Sequence, residues 1–473
     1  RELLATLETA AADASIRVTG AVVADSRRVE PGALFVAVPG EHVDGHEAAE
    51  RAVGGGAAAV LASRPVGVPA VMVDDTVLGL GRLAAGYLGQ LSPAVVAVTG
   101  SSGKTSTKDL LAQVLARLGS TVAPEGSFNT EVGVPLTVLR ADTQTRFLVL
   151  EMSARGVGHI AYLCGIARPQ IALVLNVGTA HLGEFGTQAA VAQAKGELVE
   201  ALPAQGLAVL NADDRLVAAM RARTDARVVT FGLSVGADVR ASGVRLDALA
   251  RPAFVLHRGG DEVEVSLALH GAHQVSNALA VAAVALEAGL PLDEIGRALR
   301  EAEPVSRWRM EVRTRPDGVT VVNDAYNANP DSMRAALAAL AAMGRASRHA
   351  SHEGEVAVRR TWAVLGEMAE LGEHSPAAHA EVGAAAAAAG IDRLVAVGPV
   401  AAGIADGAER GGLAASAIER VDTIDDAVAF RQAAIRPDDV VLVKASRSAD
   451  LQRVAERLLG AQTDAVTGVG VGA

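Results

Sequence analysis

At 473 residues the chain is too long for one hydrophobic core, and its length points to roughly three domains. Half of it is hydrophobic but aromatics are only 3%, so cores must be packed from alanine, glycine and branched aliphatics. A formal charge of −11 disfavours nucleic acid and anionic membranes as extended partners, although a local basic site can still hold an anionic substrate. The single Cys164 rules out an internal disulfide, in keeping with a reducing cytoplasm, and neither a leader nor a long apolar run predicts membrane insertion.

Residues 1 to 88 read as a small α/β domain. Val22 to Ala24, Leu34 to Val38, Ala58 to Leu61 and Pro69 to Val73 have the short apolar runs of strands. Polar clusters close them, among them Asp25-Ser26-Arg27-Arg28 and Asp44-Gly45-His46. Strand ends are where α/β sheets hold ligands, so Ser26, Arg27 and His46 are candidates for an anionic substrate, Arg27 through a phosphate. Plain turn chemistry explains the same residues equally well.

Residues 89 to 312 are organised around Val95 to Leu118, V-V-A-V-T-G-S-S-G-K-T-S-T-K-D-L-L-A-Q-V-L-A-R-L. Four small apolar residues run into a glycine loop, after which Leu110, Leu111, Val114, Leu115 and Leu118 recur at helical spacing. Strand, loop and helix in that order make a phosphate site. Gly100, Ser101, Ser102, Gly103, Thr105 and Ser106 can present backbone N–H groups to a nucleotide, and the helix adds the positive end of its dipole. Lys104 is expected to reach the β- and γ-phosphates and the Thr105 hydroxyl to ligate Mg²⁺. Val98 stands where the usual motif has its first glycine, leaving the shorter T-G-x-x-G-K-T; an ordinary strand-to-helix turn is the bland alternative.

Other apolar runs of this unit also end in polar residues, at Glu151, Asn176 and Asn211, as in a parallel doubly wound sheet whose strands end on one rim. Glu151 is the candidate hard-oxygen ligand for Mg²⁺; capping the next helix is its alternative. His181 could ligate metal or simply lie in the cleft, although an isolated histidine is more often neither. Lys195, in Ala194-Lys195-Gly196-Glu197, looks by itself like a solvated helix lysine. Pro252 to His257 and Val263 to Leu269 predict an antiparallel hairpin, and His273 to Asn277 open an alanine-rich helix.

Ser306 to Met310 read as a hinge to a third α/β unit, 313 to 460, with strands at Val319 to Val322, Trp362 to Leu365, Leu394 to Val397 and Val440 to Val443. Its first strand ends in Asn323-Asp324-Ala325-Tyr326-Asn327-Ala328-Asn329-Pro330-Asp331-Ser332, and no G-x-G-x-x-G follows it. Arg345 to Arg360 predict a loop, and residues 461 to 473 a loose tail.

Together these pieces resemble the Mur ligase family, the ATP-dependent amide-forming enzymes of peptidoglycan precursor assembly. The resemblance spans nearly the whole chain and rests on Thr99 to Thr105, Glu151, His181, Ala194 to Glu197, Asn277, Arg309 and Lys444-Ala445-Ser446-Arg447. Ala445 departs from the usual glycine, and Ser153 stands where glycine is frequent. Within the family, Asn323 to Ser332, Val364 to Gly372, Asn129 to Pro135 and Ala180 to Gly186 look like the member that takes D-alanyl-D-alanine as acceptor. The D-N-P-[RK] tetrapeptide expected of the relative that adds the third residue does not occur.

The resemblance implies three α/β domains: one for the UDP-sugar, one for ATP, and a Rossmann-like lid. It implies Ser26 and Arg27 near the UDP-sugar, Asn129 and Thr130 near the muramoyl peptide, and Glu151 and His181 near Mg²⁺, two ions in all. Asn277 would lie against adenine, with Arg309 and Asp324 on ribose and phosphates and Asn327 over the nucleotide. Lys195 would be carboxylated by CO₂, turning a cation into an oxygen ligand. The implied substrates are ATP, UDP-N-acetylmuramoyl-tripeptide and D-alanyl-D-alanine, and the implied state is a monomer.

Overall fold

The structure is a computed structural model that describes residues 16–40, 43–179, 182–346 and 359–460. The expected loop falls largely, and the expected tail wholly, outside these residues. Three sheets follow one another along the chain. The first holds β1 (Val22–Val23), β2 (Leu34–Val36), β3 (Ala59–Ala62) and β4 (Ala70–Met72) in that order, all parallel. Asp75 caps the helix Thr76–Leu88 through the N–H groups of Val77 and Leu78, and this helix leads into the second sheet.

The second sheet has nine strands: β5 (Ala94–Thr99), β6 (Thr121–Val122), β7 (Phe147–Glu151), β8 (Ile171–Val174), β9 (Leu207–Asn211), β10 (Arg227–Gly232), β11 (Val239–Leu246), β12 (Pro252–Arg258) and β13 (Asp261–Ser266). Their spatial order is β13-β12-β11-β10-β9-β8-β5-β7-β6. The chain fills one side of β5 with β6 and β7 and then crosses to the other with β8. That reversal opens a crevice at the carboxyl end of β5, where doubly wound sheets bind ligands. Because β5, β7, β8 and β9 are parallel, Thr99, Glu151, Asn176 and Asn211 share that rim. The expected hairpin is β12–β13; β10 and β11 extend the sheet towards it, unannounced by any apolar run that the sequence reading singled out.

Apolar periodicity explains how the rim is held. Leu110, Leu111, Val114 and Leu115 of the helix Lys104–Leu115 are all wholly buried against the sheet. The helix His273–Glu287 packs beside it through Ala278, Ala280, Ala282, Ala283 and Ala285, whose short side chains permit close approach and leave little to reorder on burial.

The third sheet runs β14 (Glu311–Thr314), β15 (Thr320–Asn323), β19 (Val440–Lys444), β16 (Thr361–Leu365), β17 (Arg393–Val397), β18 (Ile418–Val421). It is parallel except for the edge pair β14–β15, which runs antiparallel in register Glu311↔Asn323 to Thr314↔Thr320. The sequence reading missed both edges, β14 and β18. Each is only four residues long, and polar residues interrupt both. No helix among the described residues is long and apolar enough to cross a membrane.

Candidate active site

The glycine loop leaves β5 at Thr99, and Gly103, at φ +80°, starts the helix Lys104–Leu115. A side chain in that left-handed backbone costs about 1–2 kcal/mol. A Cβ there would also lie 2.6 Å from Asn277 Oδ1, so only glycine fits. The first-turn N–H groups of Lys104, Thr105 and Ser106 find no carbonyl within the helix and aim into the cleft.

Half of the loop behaves otherwise than its motif predicts. The N–H groups of Ser101 and Ser102 both donate to Asn176 Oδ1 at 2.9 Å, and the Asn176 amide donates to Ser102 O at 3.2 Å. These bonds hold the loop's shape. Asn176 does this because β8 neighbours β5. The sequence marked it only as a polar strand end.

Glu151 closes β7 at 1% exposure, facing the loop from the adjacent strand. Its Oε2 accepts the Thr105 hydroxyl at 2.9 Å and its Oε1 the Asn129 amide at 2.7 Å. Ser127 Oγ lies 3.3 Å from Thr105 Oγ1 and accepts from Arg309 Nη2 at 2.8 Å. Ser127 was not singled out in the sequence, and nothing local distinguishes it there. Thr105, Ser127 and Glu151 thus gather hard oxygens beside the helix N-terminus, a donor set that fits Mg²⁺, which takes one or two protein ligands and completes its shell with phosphates and water. Both carboxylate oxygens of Glu151 are held by the side chains of Thr105 and Asn129.

Lys104 Nζ donates to Gly100 O at 2.7 Å, at the mouth of the loop. Burial pushes its amine below the usual lysine range, Glu151 opposes that shift, and Arg309 adds to it. Lys195 departs furthest from the surface lysine its local sequence suggests. It is 2% exposed, and among the described residues no hydrogen bond or ion pair engages it. Burial first, and the Lys104 charge second, hold its amine well below the usual range. Glu197, two positions on, takes the N–H groups of Gly158 and Ala161 and so caps the helix His159–Ile166.

The third domain closes the cleft. Asn329 donates to Ser101 O at 3.3 Å, and Asp331 Oδ2 accepts the Thr179 N–H and hydroxyl at 3.0 and 3.3 Å. Arg309 lies 4.2 Å over the Tyr326 ring, and the linker around it holds Trp308 and Met310 at positive φ. Asp324 was expected on the nucleotide, yet both its oxygens are engaged: Oδ1 takes the Met310 N–H at 3.0 Å and Oδ2 takes Lys444 Nζ at 2.6 Å. Asn327 Oδ1 accepts the Ala328 N–H at 2.8 Å, while its carbonyl takes Lys444 Nζ at 2.9 Å. Both residues still line the cleft, which encloses about 360 Å³ together with Thr130, Asn277, Glu370 and the loop. Asn277 donates to Gln274 Oε1 at 2.9 Å, which fixes its oxygen over Gly103.

Ser26, Arg27 and His46 do not line this cleft. Ser26 Oγ accepts from Arg51 at 2.8 and 3.1 Å, and Arg27 pairs with Asp25 at 2.7 Å while remaining 56% exposed. His46 is buried, with Nδ1 2.6 Å from Asp44 Oδ1 and Nε2 accepting the Ser63 N–H at 3.0 Å. Both ring nitrogens are engaged, so its reading as a substrate ligand gives way to a structural one. His181 lies outside the described residues.

A glycine loop at a sheet reversal, a carboxylate on the next strand and a third domain folded over both define a nucleotide-dependent enzyme whose third domain covers its cleft. Three family models match in succession: "Mur ligase family, catalytic domain" over residues 20–81, "Mur ligase middle domain" over 98–285 and "Mur ligase, glutamate ligase domain" over 308–447. The UDP-N-acetylmuramoyl-tripeptide–D-alanyl-D-alanine ligase of Mycobacterium tuberculosis is 50% identical, covering 94% of this chain and 93% of that protein. The Escherichia coli enzyme of the same name is 37% identical over 93% of each. Among solved structures, MurF from Acinetobacter baumannii superposes with a TM-score of 0.83 at 31% identity, covering 97% of this chain and 98% of that one. MurF ligase from Thermotoga maritima in complex with ADP gives 0.79 at 30% identity, covering 98% and 99%. The chain belongs to the Mur ligase family.

Proposed function

We propose that this chain is the ATP-dependent ligase that joins D-alanyl-D-alanine to UDP-N-acetylmuramoyl-tripeptide, releasing ADP and phosphate, in the synthesis of peptidoglycan precursors. The observation that carries the reading is one cleft in which the glycine loop, Glu151 and the residues of the lid meet. The acceptor is supported by likeness, along 94% of the chain, to a ligase named for that dipeptide. Since the donor is a nucleotide-linked precursor, the enzyme works in the cytoplasm.

A carboxylate is a poor electrophile, so the tripeptide's terminal carboxylate must first be activated. It attacks the γ-phosphorus of ATP, the bond to the β-phosphate oxygen breaks, ADP leaves, and an acyl phosphate results. The dipeptide amine then attacks the acyl carbon and expels phosphate. Two anions must meet in the first step, and Lys104 with the first-turn N–H groups offsets their repulsion. Thr105, Ser127 and Glu151 would hold Mg²⁺, which supplies further neutralisation of phosphate charge when bound. In this reading Lys195, whose amine burial and the Lys104 charge hold well below the usual range, would be the residue that CO₂ carboxylates, and the carbamate would supply an anion and oxygen donors for a second Mg²⁺. Asn129 and Thr130 border the acyl end, Asn277 the base, and Ser26 and Arg27 the UDP-sugar, which reaches the cleft from the first domain.

The acyl phosphate must be kept from water, and lid closure does so. A Cβ on Gly183 would lie 2.6 Å from Gly372 N and 2.9 Å from Glu370 O, so the central domain and the lid touch backbone to backbone. Gly183→Ala is expected to lower kcat about 100-fold, the cost of a reacting group misplaced by about 1 Å. The thermal midpoint should stay near wild type, and steady-state turnover beside a melting curve checks both.

The assignment itself is tested by phosphate release with UDP-N-acetylmuramoyl-tripeptide and ATP. Release should depend on D-alanyl-D-alanine and fail with single amino acids. Equal release with any one of these would overturn the choice of acceptor.

A further inference from the structure

The helix Lys104–Leu115 carries a second lysine that the mechanism leaves unused. Lys108 stands one turn after Lys104 and is 2% exposed. Its Nζ donates to Asp109 Oδ1 at 2.5 Å and to Pro124 O at 2.9 Å. The ion pair by itself explains little, because apolar residues of similar size often stabilise a core as well as a buried pair does. The bond to Pro124 O is different, since it leaves the helix and fastens a neighbouring segment to it.

That segment follows β6 and supplies Ser127 and Asn129 to the cleft. It is pinned at both ends: Lys108 holds Pro124 O at one, and the Ser153 N–H donates to Asn129 O at 3.0 Å at the other. Between the pins lies a tight turn, in which the Phe128 N–H donates to Glu125 O at 3.3 Å and Gly126 takes a φ of +55°. Ser127 is the next residue of this turn. Its Oγ stands 3.3 Å from the hydroxyl of Thr105, which belongs to the same helix as Lys108, three positions earlier. The separation of the two hydroxyls is therefore set by how the turn is held against the helix, and Lys108 holds it. Mg²⁺ demands near-ideal octahedral geometry, so that spacing matters to a cation.

We infer that Lys108 is a positioning residue for the catalytic cation: it ties the helix that bears Thr105 to the turn that bears Ser127, and so keeps both hydroxyls beside Glu151. The inference rests on the reading of Thr105, Ser127 and Glu151 as the donors for Mg²⁺. Lys108 touches neither the cation nor the nucleotide, and its effect passes through the backbone from Pro124 to Ser127.

The test measures binding of Mn²⁺, standing in for Mg²⁺, by the paramagnetic resonance of the free ion in the presence of ADP. Wild type must bind Mn²⁺ under these conditions and Glu151→Gln must bind it more weakly; if not, the donor reading fails and this inference with it. Lys108→Met combined with Asp109→Asn removes the tie without leaving a buried carboxylate unpaired. It should raise the Mn²⁺ dissociation constant about 10- to 100-fold, the range for residues that orient metal ligands. Binding of ADP without metal should stay near wild type. Asp109→Asn alone keeps an oxygen for Lys108 and leaves the bond to Pro124 O, so its Mn²⁺ binding should also stay near wild type. Unchanged Mn²⁺ binding in the double variant refutes the inference. So does an equal loss of metal-free ADP binding, which a merely structural role of the helix would give, or the same loss from Asp109→Asn alone. Should the double variant fail to fold, Lys108→Arg decides by the same two constants. It keeps the charge beside Asp109, but its longer head must push Pro124 outward, so a loss confined to Mn²⁺ supports the tie and no loss refutes it.

Discussion

Replacing Lys104 by alanine is expected to lower ATP-dependent turnover by about 10³-fold or more, on the scale of removing one preorganised charge from an anionic transition state. The fold should survive. Lys104 packs at the mouth of the loop and its amine bonds to Gly100 O, so removing it opens no core cavity. Burial already holds its amine below the usual range, and the cationic form is what phosphates require. The loss should therefore appear in kcat/KM for ATP and leave the melting temperature near wild type. A variant that turns over normally would remove the glycine loop from the mechanism.

Lys195→Ala is expected to cost roughly 100-fold or more in activity, and short carboxylic acids added to the assay should restore part of it. An amine that is 2% exposed, that no hydrogen bond or ion pair engages among the described residues, and that burial holds well below the usual lysine range is suited to accept CO₂. An alanine there leaves a space that a small carboxylate can refill. The pH dependence has a definite sign. A lowered amine pKa leaves Lys195 uncharged at pH values where an exposed lysine is still protonated, and carbamate formation declines as pH falls through that lowered value. If Lys195→Ala behaves as wild type, the carbamate is absent from the mechanism.

What the sequence revealed was local chemistry. The strand, loop and helix around Gly103 are contiguous, so their order could be read directly. Glu151 was legible as an acid that ends an apolar run, since parallel strands place such ends on one rim. Contacts across long sequence separations were not legible. Asn176 takes the Ser101 amide from 75 positions away, Asp331 takes Thr179 from 152, and Asn329 reaches Ser101 from 228. Each depends on which strands are neighbours and on how the lid sits. Lys195 shows the same limit from the other side. Its neighbours in sequence describe an ordinary helix, and only the packing of that helix against the sheet reveals that the amine has been taken out of water.

The antiparallel edge strand β14 joins the linker to the third sheet. It begins at Glu311, directly after the linker, and is hydrogen-bonded to β15 along its whole length. From that residue onward the polypeptide is part of the third domain's sheet. The left-handed torsions of Trp308 and Met310 fall in the few residues just upstream. Arg309, lying between those two torsions, both lines the cleft and bonds to Ser127 of the central domain, so the turn of the chain into the third domain and the wall of the cleft share a single side chain.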